Sequence, residues 1–409
     1  MGVRATRRIS LPLLEMRGAV LPIRGVVILA AIDWESLKQR PHHLAECLAA
    51  HGLSVLFIEN IGTRVPGLRD ASRITARLRA IGTGRVGRRV PGVTVLAPLV
   101  PPFPYSPPAS SWTAHRLLAQ IDEHLSGVGR RPEESVLLTY MATPPAVQIA
   151  NALPWAGVVY DIVSDPKNAD SRVVASEEEL LHRADLVLFA SEELRRQYGA
   201  TEPKRHVFRD GFSTHLVTVT VPEAPEMARL PKPRLIYLGG INKKIWTEAV
   251  GALSDAIPEG SLVMVGSTGR GESVLPVRSN VYILPPVPVY EQLAGLLRAA
   301  DVGLVPYRPD RFSGAMHPAK LGEYTVFGLP IVATETPEMA RLATLWPAKS
   351  IYLTASLSEF GSAVRRALAD DTPELHHERL AFAQARTWEV RTDELIRLIE
   401  QQCNASGLT

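Results

Sequence analysis

The sequence predicts an α/β protein built from two doubly wound units that face a central cleft. Three observations carry this: short apolar runs alternate with helical stretches, the rhythm breaks near the middle of the chain, and it then restarts. The apolar run at 26–32 suits a strand buried on both faces of a parallel sheet. A polar loop follows. Pro41 then opens a helix through Leu44 and Leu48 that Gly52 stops, with Pro early and Gly late as helix ends prefer. A strand at 54–59 completes a βαβ unit, which implies a parallel, right-handed crossover. Strands are expected next at 93–96, 135–139, 157–162 and 186–189, with helices at 111–125, 176–182 and 192–198. The proline-rich stretch 98–108 reads as a surface loop.

From His215 to Pro233 periodicity is lost, marking a linker. The rhythm resumes with strands at 234–238, 261–265, 281–284, 302–305 and 330–333, and helices at 244–257, 289–300, 319–327 and 357–369. The expected organisation is therefore a flexible tail at 1–24, a first domain at 25–214, a linker at 215–233 and a second domain at 234–373. Helices at 374–409 close the chain and return toward the first domain. In open parallel sheets a ligand sits beyond the carboxyl ends of the strands, which makes the cleft the expected site.

Bulk composition narrows the class. Of 409 residues, 46% are apolar and 21% charged, an ordinary globular balance, and a net charge of +3 demands no nucleic acid. Charge is concentrated locally: Arg64, Arg69, Arg73, Arg77, Arg79, Arg85, Arg88 and Arg89 face a single acid, Asp70. That block is a solvated face or a candidate for peripheral contact with an anionic membrane. Cys47 and Cys403 form no CxxC or metal spacing, which points to a reducing, cytoplasmic setting, with the inner membrane face as the place of any contact. The apolar stretch near the N-terminus is broken by Pro12, Glu15, Arg17, Pro22 and Arg24, so neither a signal h-region nor a spanning helix is expected. Gly82 to Gly87 fits GxGxxG formally, yet it follows no strand and is not expected to bind a dinucleotide.

The strongest chemical signal is the segment from Asp301 to Ala333: a strand, a loop through Gly314 and His317, a helix carrying Lys320 and Glu323, a Gly-Leu-Pro break and another strand. Unpaired N–H groups at the start of such a helix suit a diphosphate, and a carboxylate one turn in can accept from a ribose diol. A solvated helix acid is the bland alternative. Gly239 and Gly240 end the first strand of the second domain and permit close approach of a ligand, while Lys243 or Lys244 can neutralise phosphate charge.

Taken together these residues resemble the donor site of GT-B glycosyltransferases of the family-four group, which use nucleotide-sugar donors and retain anomeric configuration. The likeness implies the GT-B fold of two Rossmann-like domains, with Glu323 on the ribose and a basic residue on the leaving phosphates. It also implies a turn at 284–287, including Val287, that reads the base through its backbone. The family pattern carries a second Glu eight residues before the first, where this chain has Ala315, and His317-Pro318 replaces Phe-Gly. Backbone N–H groups from Gly314 to His317 are then expected to serve the sugar or phosphates, with His317 adding a charge or a donor. Arg40, in Gln39-Arg40-Pro41, resembles an Arg-Pro found in a subset of these enzymes; it would meet the diphosphate or acceptor, or else fix the start of a helix.

Asp161 and Asp165 follow a strand, where either could contact an acceptor hydroxyl as base or simply cap a helix. His42 and His43 are adjacent and cannot form a metal pair, and no Asp-x-Asp occurs, so the expected reaction is metal-free. No cofactor is expected beyond a UDP-, GDP- or dTDP-sugar as substrate, with a small-molecule or lipid-linked acceptor. A sugar-nucleotide epimerase of the same fold, or a non-catalytic nucleotide-binding module, are the rival readings.

Overall fold

In a computed structural model, the structure describes residues 23–61, 88–101, 103–165, 170–199, 201–268 and 275–406, with side chains undescribed at 88–90 and 403–406. The expectations for the tail, for the arginine block and for the glycine run at 82–87 therefore fall outside the described residues, in whole or in their side chains.

The first sheet contains β1 (Gly25–Leu29), β2 (Ser54–Ile58), β3 (Arg88–Val90), β4 (Val93–Leu96), β5 (Ser135–Thr139), β6 (Gly157–Ile162), β7 (Leu186–Phe189) and β8 (Arg205–Val207). Its order is β3-β4-β2-β1-β5-β6-β7-β8, parallel except for the β3–β4 pair. The second sheet has β9 (Arg234–Leu238), β10 (Ser261–Val265), β11 (Val281–Leu284), β12 (Val302–Val305), β13 (Ile331–Thr334) and β14 (Ile351–Thr354), in the order β11-β10-β9-β12-β13-β14. Chain order reverses beside β1 in one sheet and beside β9 in the other, and these switch points are where parallel sheets open a crevice. The central strands are apolar because helices cover both faces: every residue of β1, β5, β6, β9 and β10 is buried.

Each sheet carries its own core, one around Val27, Leu29, Leu137 and Val187, the other around Ile236, Val263, Leu304 and Val332. The segment expected to be a plain linker contains two helical turns, His215–Thr218 and Pro225–Ala228, whose Leu216 and Met227 are fully buried in the second core. The proline-rich loop ends earlier than expected, because Pro107 and Pro108 occupy the first turn of the helix Pro107–Gly127, where the missing N–H is no loss.

Past the second sheet, the helix Pro373–Gln384 stays with that lobe, whereas Trp388–Ser406 crosses back. Trp388, Leu395 and Ile399 enter the first core. The crossing is tight at Gly211: a Cβ there would stand 2.6 Å from the Trp388 Cα, so only glycine lets the two backbones meet.

Candidate active site

The helix Lys320–Val326 is fixed from beneath. Tyr324 is fully buried, and its hydroxyl accepts from the Leu238 N–H at 3.0 Å and faces the Ile236 and Leu304 carbonyls at 3.1 and 3.2 Å. That staple ties the helix to the ends of β9 and β12 and turns its neighbour Glu323 into the space between the lobes. Glu323 Oε1 accepts from the Tyr290 hydroxyl at 3.1 Å, and Tyr290 in turn lies 3.1 Å from Ser213 Oγ. Oε2 is sealed from solvent with no hydrogen-bond partner among the described residues. Burial pushes the Glu323 carboxyl up to about 7, against smaller opposing effects from backbone N–H, Tyr290 and Lys320. A buried acceptor left unpaired is costly, and a diol donating to it would remove that cost.

Around this carboxylate lies a pocket of about 180 Å³. Its walls come from the exit of β1 (Ala31, Ile32), the start of the helix Arg40–Ala50 (Gln39, Arg40, His43), Tyr140 after β5, Ser213, Tyr290, His317 and Trp388. His43 stacks on Trp388 with ring centroids 4.8 Å apart, and burial holds it well below the usual imidazole range, hence neutral. His317 is pushed down to about 4 by burial, which outweighs the pull of Asp210, and its Nδ1 has no partner. It is therefore a neutral hydrogen-bonding group near pH 7, not the added charge that was one expectation.

Beyond the pocket, at the exit of β9, Gly239 has φ +127°, and a Cβ there would sit 3.6 Å from Lys320 Nζ. The Lys320 ammonium rests over the Tyr237 and Tyr307 rings at 4.8 and 4.7 Å and is hydrogen-bonded to the Tyr307 hydroxyl. Lys244 is half-buried, its ammonium 5.8 Å from the Phe312 ring, while Lys243 and Gly240 are exposed. Val287 sits in the loop after β11, packed partly against the second core and outside the pocket wall.

Two expected arrangements are corrected by the geometry, and for Arg40 the structural one of its two alternatives is favoured. Asp161 is not open to the cleft: it is fully buried, and its two oxygens accept from Arg40 Nε and Nη2, both at 2.7 Å. Arg40 is correspondingly committed, its Nη1 donating to the Phe208 carbonyl at 2.8 Å and to Asp210 at 3.0 Å, although it still lines the pocket. The N–H groups of the 314–317 loop are mostly occupied: Gly314, Ala315 and Met316 donate to the carbonyls of Asp310, Phe312 and Ser313 at 2.8, 3.4 and 3.2 Å. Among the described residues, no such bond closes on the His317 N–H. Asp165 lines a different cavity. Among the described residues, no group of three or more His, Cys, Asp or Glu side chains could hold a metal ion. Nor is any described helix long and apolar enough to cross a membrane.

The lobes also touch directly. Ser191 Oγ donates to the Ala315 carbonyl at 2.5 Å. Glu338, fully buried in the second lobe, accepts from the Glu193 N–H at 3.1 Å and lies 3.9 Å from Arg209 Nε.

Comparisons with known proteins agree with this geometry. The family model described as "Glycosyl transferases group 1" matches residues 232–370, the second lobe. Across 342 residues the chain is 21% identical to TuaH, a teichuronic acid biosynthesis glycosyltransferase of Bacillus subtilis (strain 168), covering 77% of this chain and 82% of that protein. The fold is similar to that of sucrose-phosphate synthase from Thermosynechococcus elongatus, with TM-score 0.64 and 16% identity over 93% of this chain and 100% of the other. It is also similar to HepE of Anabaena in complex with UDP and glucose, with TM-score 0.62 and 12% identity over 92% and 100%. The chain has the GT-B fold, and its second lobe matches the group 1 glycosyl transferases.

Several residues of the pocket carried no signal in the sequence. Tyr290, Ser213 and Trp388 reach the cleft from three separate segments with no motif around them. Glu338 sits in Thr336-Pro337-Glu338, which reads as an ordinary helix start, and Thr336 does cap that helix through the Met339 N–H.

Proposed function

We propose that the cleft transfers a glycosyl group from a nucleoside-diphosphate sugar to an acceptor hydroxyl, with UDP as the favoured nucleotide. The observation that carries this reading is Glu323 Oε2, an unpaired buried carboxylate oxygen, on the same helix as Lys320, whose ammonium lies beside the open turn at Gly239. A ribose diol satisfies the first and a diphosphate the second. Lys320 and Lys244 would take the phosphate charge, with Lys243, on the exposed side, contributing only at longer range. His317, neutral, would hydrogen-bond the sugar, assisted by its own N–H in place of the absent acid at Ala315. Support for UDP comes from the similar HepE structure with UDP and glucose and from an E. coli trehalose-6-phosphate protein bound with UDP-2-fluoro glucose (TM-score 0.62, 15% identity over 92% of this chain and 99% of the other).

The reaction suits a front-face course that retains configuration and needs no metal. The donor C1–O bond breaks with its electron pair going to the phosphate, the acceptor oxygen bonds C1, and the acceptor proton passes to the leaving phosphate. No protein nucleophile is then required, and positioning with charge stabilisation supplies the rate. Asp161, locked to Arg40, fits an architectural role better than that of a base. A lipid-linked acceptor would place the enzyme at an anionic membrane face through the arginine block at 64–89.

The decisive experiment is a thermal-shift screen with UDP, GDP and dTDP on wild type and Glu323→Ala. Stabilisation by one nucleotide, lost in the variant, is the expected outcome. No shift with any nucleotide would overturn the reading.

A further inference from the structure

Beside the nucleotide pocket, the seam between the lobes holds a second cavity of about 210 Å³, walled from both sides. Val163, at the end of β6, belongs to the walls of both cavities, so the two are neighbours along one seam. We infer that this second cavity receives one monosaccharide unit of the acceptor, held by Phe312, Asp165, Gln197 and Arg311, so that the acceptor is itself a sugar. The inference rests on the proposed transferase reading and gives it an acceptor class.

Size comes first. At about 210 Å³ the cavity has room for a monosaccharide ring. Lining chemistry comes next. A pyranose has an apolar C–H face and a rim of hydroxyls, and the cavity offers both complements. Phe312 and Met316 from the second lobe and Leu194 from the first supply carbon surface, of which an aromatic face is the best partner for sugar C–H groups. Asp165, Gln197 and Arg311 add a carboxylate, an amide and a guanidinium, the groups that make paired hydrogen bonds with vicinal hydroxyls. Arg311 is exposed and makes no ion pair among the described residues, so its donors remain available to a ligand.

Position completes the case. Phe312 also packs its ring against the Lys244 ammonium at 5.8 Å, which makes one side chain the partition between the proposed phosphate region and the acceptor cavity. Ala315 forms part of the wall, and its carbonyl is held by Ser191 of the opposite lobe. The cavity is thus completed by the contact between the lobes. Where the two cavities meet at Val163, a hydroxyl of the bound sugar could attack the donor C1 as the bond from C1 to the phosphate oxygen breaks, its proton leaving with the phosphate.

The test uses methyl glycosides of glucose, galactose, N-acetylglucosamine and glucuronic acid as probes. Binding to the full chain is followed by saturation-transfer NMR and titration, with and without UDP. At least one glycoside is expected to bind wild type. Phe312→Ala should weaken it about tenfold, roughly 1.4 kcal/mol. Arg311→Ala, an exposed change that leaves the fold intact, should weaken it as well. The inference is overturned if no glycoside binds, or if both variants bind it as wild type does. Failure of UDP to bind would remove the donor reading alone, because the glycoside arm is measured independently.

Discussion

Replacing Asp161 by Ala separates an architectural carboxylate from a catalytic one. Asp161 is 0% exposed and Arg40 is 6% exposed, and the pair is joined by two bonds of 2.7 Å. Removing one partner of such a pair leaves a buried charge uncompensated, at a typical cost of about 3–5 kcal/mol. Here the low end applies, because Arg40 would keep the Phe208 carbonyl at 2.8 Å and Asp210 at 3.0 Å. With roughly 2–4 °C per kcal/mol for a domain of this size, about 3 kcal/mol corresponds to a fall of ~6–12 °C in melting temperature. The assay is thermal unfolding by circular dichroism, with transfer activity measured well below the transition. The double variant Arg40→Met/Asp161→Leu removes both charges and should recover most of the loss, since an apolar pair of similar volume is often as stable as a buried ion pair. Should Asp161→Ala melt like wild type while losing all transfer, the carboxylate acts on substrate and the architectural assignment is wrong.

Further consequences concern the pocket and the seam. Glu323 sits at about 7 in the free protein because it is buried, and its ionised form is the stronger acceptor for both hydroxyls of a diol. UDP affinity should therefore be constant above pH 7 and fall by up to about tenfold per pH unit below it; titration calorimetry at pH 6, 7 and 8 checks this, and a flat profile removes Glu323 from the ribose. Lys320→Gln should weaken donor binding by about 1.5–3 kcal/mol, the worth of a charge-assisted hydrogen bond, while leaving the acceptor KM alone; equal effects on both substrates would contradict its phosphate role. Glu338→Ala leaves the Glu193 N–H without its acceptor, at about 1–3 kcal/mol. Hydrogen exchange should then quicken at the amides of residues 192–194 more than elsewhere in the first lobe, and unchanged protection there would show that Glu338 does not hold the lobes together.

Much of the fold was legible because burial on both faces leaves a plain mark. β4, β5, β6, β7, β9, β10 and β12 fall at their expected positions as short apolar runs, and so does β11 by its apolar sequence, although it lies half-buried at the sheet edge. Elements escaped where that mark fails. β3 and β8 are three-residue edge strands, and β14 is only half-buried. The helix Pro144–Ala152 opens with two prolines that look like a loop until Thr143 is seen capping the Ala146 N–H. For the site, the limit lies in distance along the chain. Lys320 and Glu323 share one helix, so spacing alone could single them out. Arg40 and Asp161 are 121 residues apart, and each alone reads as a cleft-facing charge; only the fold shows that they consume one another. The same holds for the loop before His317, whose expected free N–H groups are closed by a turn from Asp310 that no residue pattern announces. Local order thus names candidate residues for a ligand. Which of them keep an unpaired polar atom is decided by contacts between remote segments: Glu323 Oε2 is left without a partner among the described residues, Lys320 is bonded to Tyr307, and Asp161 is consumed by Arg40.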